Sequence, residues 1–272
     1  MVLYSVNIFA PIRIFFKYRG LIADLAKREI VSRYKGSIAG LLWSFLNPLL
    51  MLAVYTFVFS IIFQSKWSGG NGSRTEFALV LFAGLIIFGL FSEVISRAPV
   101  LIIGNINYVK KIIFPIEILP YIALASAFFQ FMVSTFVWII FYIIFFGVPH
   151  ASIFLLPITL LPLILLTLGI SWILASLGVY IRDTPQFVAI IITILMFLSP
   201  IFYSTTSIPV EYRKLLEINP LTFSIETARD VMLWGKSINW KAWFQQAVVS
   251  ASVFWIGFAW FQKTKGGFSD VL

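Results

Sequence analysis

From Ser37 to Phe63 the chain carries no charged side chain, whereas the ten residues just before, KREIVSRYKG (27–36), carry five. About 20 apolar residues of helix cross the hydrocarbon core of a bilayer, so the charge-free run is long enough to span. The basic segment cannot follow it, because a Lys or Arg at mid-bilayer costs at least ~3 kcal/mol on insertion scales. One junction therefore specifies the solvent of this chain and the direction in which the chain enters it. The two halves meet at a Gly-Ser-Ile-Ala-Gly joint, Gly36 to Gly40.

The rest of the chain has the same character. Of its 272 residues 60% are hydrophobic and 11% charged, and the mean hydropathy is +0.98. A soluble domain carries roughly 25% charged residues, so this is a polytopic membrane protein. Spans and short loops use up the length, leaving no room for a separate soluble domain of the usual ~100 residues. Soluble chemistry has to come from another chain. The net charge of +9 sits beside apolar spans, so it reports topology and not nucleic-acid binding. The absence of Cys removes disulfides, thiol catalysis and Cys-ligated metals. Pro11 and Arg13 interrupt the first apolar stretch and no small-residue cleavage site follows, which argues against a signal peptide.

In chain order, residues 2–19 mix bulky apolar side chains with Arg13, Lys17 and Arg19 and read as an interfacial segment facing anionic lipid. Leu21 to Lys35 reads as a helix, with Ile22, Ala26, Ile30 and Tyr34 at i+4 spacing and Glu29 and Arg33 as an i, i+4 ion pair within that face. Charges inside an apolar stripe suit a protein partner better than lipid alone. Six spans follow at 41–63, 77–96, 116–146, 153–180, 186–203 and 243–261. Pro157, Pro162 and Gly169 are expected to kink or break the fourth, and Pro200 lies in the short fifth. With both termini inside, thirteen of the 20 Lys and Arg residues are cytoplasmic and seven, Arg229 among them, lie outside.

Two connections hold structure of their own. A cytoplasmic segment between spans two and three carries Asn105, Asn107, Tyr108, Lys110 and Lys111 and closes at Pro115. Outside, 204–242 holds two amphipathic helices: Pro209 to Ile218, and a second with Asn219 as N-cap, Pro220 at the first helical position, Leu221, Ile225, Ala228 and Met232 on one face, and a stop at Gly235. Two such helices between spans read as a re-entrant pair in the outer interface. The fold class is therefore an all-α membrane bundle, one permease domain over 1–272, with interface helices in 1–36 and a re-entrant outer pair in 204–242. No internal repeat is evident, which argues against a self-contained secondary transporter and leaves symmetry to dimerisation.

The missing chemistry is as informative. There is no GxxxxGK[ST] phosphate loop, and the glycines at Gly69 to Gly72 and Gly266 to Gly267 lack its Lys-Ser/Thr, so this chain does not hydrolyse ATP. His150, at an outer turn beside Pro149, reads as a surface histidine. Glu93 and Arg97, one turn apart, read as a local ion pair, and Glu117 as an interfacial group near Lys110 and Lys111. No chain of ionisable groups crosses mid-membrane, so the energy for transport has to arrive from a partner. Trp43, Trp67, Trp234, Trp240 and Trp243 fit interfacial belts. Tyr55 and Phe59, mid-span and one turn apart, fit either helix packing or a path whose aromatic faces receive sugar rings.

The run from Lys27 to Phe63, then NYVKKIIFPIEILP and INPLTFSIETARDVMLWG, resembles the membrane subunits of type 2 ATP-binding-cassette exporters, in the branch that exports O antigen, capsule or teichoic acid. The resemblance runs through nearly the whole chain in order and spacing. It implies a homodimer of six-span subunits bound to two copies of an ATPase subunit, which would hold ATP and Mg, with no cofactor or metal in this chain. It further implies ATPase-facing roles for Leu25, Glu29, Arg33, Tyr34, Asn105, Tyr108, Lys110 and Lys111. A translocation path would carry Trp43, Tyr55, Phe59 and Phe187, and an outer gate Tyr212, Asn219, Pro220, Ile225 and Met232. Arg28, Arg33 and Lys35 stand where a lipid diphosphate would reach the membrane surface.

These readings converge on a non-enzymatic permease in a bacterial inner membrane that moves a lipid-linked polysaccharide, undecaprenyl-diphosphate-linked O antigen, outward. An exporter of a small hydrophobic drug or a lipid is the alternative. A membrane enzyme acting on lipid-linked glycans is the distant one; it would need a paired carboxylate, a His-Asp pair or an Asp cluster at one interface. Asp183 beside Arg182 is the only acidic group in its turn, and turn capping accounts for it.

Overall fold

Proline placement sets where the helices begin. Pro11, Pro120, Pro157, Pro185 and Pro220 all fall in first turns, where the missing N–H has no intrahelical partner to lose. The structure, a computed structural model, describes residues 7–62, Trp67, 73–109 and 114–272. The helices are α1 Ala10–Lys17, α2 Arg19–Tyr34, α3 Trp43–Tyr55, α4 Arg74–Arg97, α5 Ile106–Val109, α6 Leu119–Phe146, α7 Leu156–Tyr180, α8 Thr184–Leu198, α9 Val210–Ile218, α10 Pro220–Met232, α11 Trp240–Thr264 and α12 Phe268–Val271. Among the described residues every regular element is helical. A π-helical stretch, Thr56–Ile62, continues α3. Ser73, Asn219 and Asn239 cap α4, α10 and α11 by accepting from Glu76 N, Leu221 N and Ala242 N.

Two prolines lie inside helices, and one device answers both. A helical proline leaves the carbonyl four residues earlier without its N–H partner. Pro48 in α3 does this to Ser44, whose oxygen accepts from Gln130 Nε2 of α6 at 3.1 Å. Pro162 in α7 does it to Ile158, whose oxygen accepts from Trp243 Nε1 of α11 at 2.9 Å. The expected break in the fourth span therefore does not occur. Trp243 has a specific bonding role beyond that of a belt residue.

α4 is the hub, buried along most of its length against α3, α6, α7, α8 and α10. The α7–α11 pair is the tightest: a Cβ added at Gly257 would lie 2.0 Å from Gly169 O, and one at Gly169 would lie 2.5 Å from Val253 O. Without a hydrophobic drive between helices in lipid, such backbone approach is what dispersion forces reward. Trp172, fully buried, seals this layer with its indole N–H on Glu117 O at 3.1 Å.

Five helical stretches are long and apolar enough to cross a membrane: Gly40–Phe59, Thr75–Val100, Ile116–Phe146, Ala151–Tyr180 and Trp240–Val271. They match five of the six expected spans. The fifth expected span differs, because α8 has 15 residues and stops before Ser199-Pro200. At 1.5 Å per residue it rises ~22 Å, short of the ~30 Å core. Asp183 occupies the N-cap position of α8, but its side chain makes no cap hydrogen bond.

Candidate functional site

At the junction that precedes α3, α2 lies against α4 and α6. Ile22 and Ala26 of its predicted stripe are buried and Ile30 and Tyr34 half-buried. The charges inside the stripe meet charges on α4. Arg33 pairs with Glu93 at 2.6 Å and Arg97 with Glu29, while the same-helix distances, Glu29–Arg33 at 4.0 Å and Glu93–Arg97 at 3.9 Å, are long. The two pairs expected to be local are thus one four-residue network across helices, because each helix presents its charges one turn apart to the other. Burial alone would lower the Arg33 guanidinium; Glu93, with Tyr34 and Glu29, holds it above its ordinary value. Arg33 also donates to Ser126 Oγ of α6 at 3.2 Å.

Beside this network a cavity of about 260 Å³ is lined by Leu25, Arg28, Glu29 and Ser32 of α2, by Arg97 and by Asn105 and Tyr108 of the following segment. Four residues assigned to the ATPase face, Leu25, Glu29, Asn105 and Tyr108, therefore come together although 76 or more positions separate the first two from the last two. Asn105 Nδ2 is anchored on Leu101 O, and the Tyr108 ring stacks on Phe114 at 4.3 Å. Lys110 and Lys111 lie outside the described residues. Glu117 pairs with Lys265 near the C-terminus at 3.6 Å.

Tyr34 is turned toward α6, donating from its hydroxyl to Gln130 Oε1 at 3.3 Å. Arg28 and Lys35 are exposed, but Arg33 is neutralised by Glu93, so the three cations proposed for a diphosphate are not equivalent. The joint after α2 has Gly36 at φ +86° and Gly40 at φ +51°, which β-branched residues do not tolerate.

Of the residues expected on a path, Tyr55 and Phe59 are held together and Trp43 and Phe187 stand apart from them. The Tyr55 and Phe59 rings, 6.4 Å apart, meet Phe202 at 6.4 and 5.4 Å; Phe202 meets Phe197 of α8 at 5.8 Å, and Phe59 meets Phe77 of α4 at 6.2 Å. Tyr55 also faces a cavity of about 240 Å³ between α3, α4 and α6, with Asn47, Pro48, Glu93 and Gln130 around it. Trp43 and Phe187 are exposed near the N-terminal ends of α3 and α8. With Ile190, Ile191, Ile194 and Phe197, Phe187 makes one side of α8 a bare apolar face.

α9 and α10 form near their expected limits, and α10 ends at Met232, before Gly235 with φ +64°. Of the residues expected at a gate, Tyr212 is exposed, Asn219 caps α10 and donates to Ser199 Oγ at 3.0 Å, and Ile225 and Met232 are fully buried. The residue that anchors this region is Arg229, 1% exposed, although its charge counts as an outside loop cation in the sequence. Its guanidinium donates to Val80 O at 2.9 Å, to Pro200 O, and to Ile201 O at 2.8 Å, pairs with Glu226 at 3.2 Å, and lies over the Trp67 ring at 4.6 Å. Trp67 is therefore a buried platform for this cation. Burial lowers Arg229 to about 10, opposed by Glu226, and raises Glu226, opposed by Arg229. Gly84 of α4 leaves the space that the guanidinium fills. The signal for this cluster was an Arg three residues after a Glu inside an otherwise apolar helical face.

This arrangement has counterparts in known proteins. The model of the family described as ABC-2 type transporter matches residues 21–233, from α2 through the last turn of α10. The chain belongs to the ABC-2 type transporter family. The matched region takes in the four-residue ion network, the aromatic cluster and the Arg229 anchor. The O-antigen export system permease protein RfbA of Myxococcus xanthus is 25% identical over 261 residues, 95% of this chain and 98% of that protein. A protein of the same name from Klebsiella pneumoniae is 26% identical over 253 residues, 93% of this chain and 95% of that one. The polysialic acid transport protein KpsM of Escherichia coli is 27% identical over 229 residues, 80% and 84% of the two chains. Membership makes this ABC-2 protein a multi-pass transport permease of the bacterial inner membrane whose ATPase is a partner subunit.

Proposed function

We propose that the chain is the permease of an ABC exporter that moves a lipid-linked polysaccharide, O antigen on undecaprenyl diphosphate, from the cytoplasmic to the outer side of the inner membrane. The observation that carries this reading is similarity to O-antigen permeases over 95% of the chain. The subunit works as a homodimer with two ATPase subunits and has both termini in the cytoplasm. ATP binding is felt at α2 and at the Asn105–Tyr108 segment, whose shared cavity supports a common docking site. The path between subunits runs along α3 and the bare face of α8, where the exposed Trp43 and Phe187 meet the sugar with the Tyr55–Phe59 cluster behind them, and α9 with α10 closes the outer end. Arg28 and Lys35 meet the diphosphate, while Arg33 serves the ion network.

The test is deletion of the gene in its own host, followed by complementation. Loss of surface glycan with lipid-linked glycan accumulating inside is the expected result. An intact surface glycan together with altered efflux of small hydrophobic compounds overturns the reading.

A further inference from the structure

The two helix-interior prolines are answered alike, but their side-chain donors differ in what else they hold. Trp243 carries one N–H and ends at Ile158 O. Gln130 has a second function: while Nε2 donates to Ser44 O at 3.1 Å, Oε1 accepts from Tyr34 at 3.3 Å. An unbroken series of bonds thus runs from the last residue of α2, through one amide on α6, to the backbone of α3 at the site Pro48 has opened. An amide suits this place, since its oxygen accepts from a hydroxyl while its NH2 donates to a carbonyl. Ser44 is 1% exposed, so its carbonyl has little access to water.

The surroundings allow this link to transmit motion. α3 shows an apolar surface over most of its length, and on its bundle side Pro48, Met51 and Tyr55 face the 240 Å³ cavity. A helix with an internal proline, an adjoining cavity and a flexible glycine joint before it can tilt at small cost. α6, by contrast, is held by α4, α7 and the Trp138 indole on Leu79 O.

We infer that Gln130 is a positioning residue that transmits displacement of α2 to α3 through the Tyr34–Gln130–Ser44 series, setting the tilt of α3 about Pro48. This rests on the proposed ATP-driven homodimer. The chain has no native Cys, so single labels can be introduced without background. Val31→Cys on α2 and Leu50→Cys on α3, both exposed, each give one spin–spin distance between subunits in the complex with its ATPase, with and without ATP.

In the otherwise unmodified chain both distances shift with ATP. In Gln130→Leu and in Tyr34→Phe the α2 distance still shifts, the α3 shift is lost, and export falls at least ~5-fold, the low end of ordinary coupling between sites. Trp243→Phe removes the equivalent donor at Ile158 and leaves the α3 shift in place. Tyr34→Phe leaves Gln130 on Ser44, so it carries the test if Gln130→Leu does not accumulate. An α3 shift retained in Tyr34→Phe overturns the inference alone. If neither distance responds to ATP before any of these substitutions, the ATP-driven reading fails and the inference with it.

Discussion

Gly84→Ala is a one-methyl change whose cost is set by a residue 145 positions away. The added Cβ would lie 2.3 Å from Arg229 Nη2 and 3.0 Å from Cζ. A flexible Arg could swing aside, but this one is held by Val80 O, Pro200 O, Ile201 O and Glu226 over the Trp67 ring. Moving Nη2 breaks its bond to Ile201 O, and a hydrogen bond to a charged group is worth ~1.5–3 kcal/mol. Overpacking adds ~1–3 kcal/mol if the backbone shifts as well. The expected destabilisation is about 2–4 kcal/mol, since the two costs are partly alternatives. Unfolding by SDS in mixed micelles, followed by tryptophan fluorescence, measures it. The same change in an Arg229→Met background meets no guanidinium and costs less than ~1 kcal/mol, a coupling expected only of residues in direct contact. An equal cost in both backgrounds would refute the account of Gly84 as the space for Arg229.

Other consequences are as specific. Replacing Gly36 and Gly40 together with Val forces two positive φ values on β-branched residues; insertion is retained and export lost, and normal export would reduce the joint to a tether. Glu93→Gln leaves Arg33 with Glu29 at 4.0 Å as its remaining carboxylate and lowers stability by ~1–2 kcal/mol, an intermediate cost for half-buried pairs; the SDS titration reads it. Neutralising Arg28 and Lys35 while keeping Arg33 preserves the network and co-purification of the ATPase but reduces export, and undiminished export removes these residues from diphosphate contact. Gly257→Val drives a side chain into the Gly169 carbonyl and prevents α7 and α11 from packing, seen as loss of monodisperse protein in detergent.

Much of this protein is local chemistry and was therefore legible along the chain. Apolar runs longer than a bilayer's thickness marked five of the spans, and Asn219 with Pro220 marked the start of α10. The family motifs were legible as well, because they follow one another in order. What a linear reading missed were relations between helices. Glu29 with Arg33 and Glu93 with Arg97 have the spacing of local pairs; only docking of α2 on α4 shows that each carboxylate prefers the guanidinium opposite. Arg229 has the composition of a loop cation, and Trp67 that of a belt aromatic, until α4, α10 and the turn at Pro200 close around them.

The charge-free run after Lys35 by itself determined that the chain enters a membrane, because the cost of moving a charge into hydrocarbon does not depend on the fold. Gly36 and Gly40 likewise announced a joint through the backbone freedom that glycine alone has. The tertiary structure decided what the joint connects. Pro48 frees a carbonyl wherever it is placed in a helix, but the donor that answers it sits 86 residues away in sequence from Ser44. Hydrogen bonds across that separation exist only once α2, α3 and α6 are side by side.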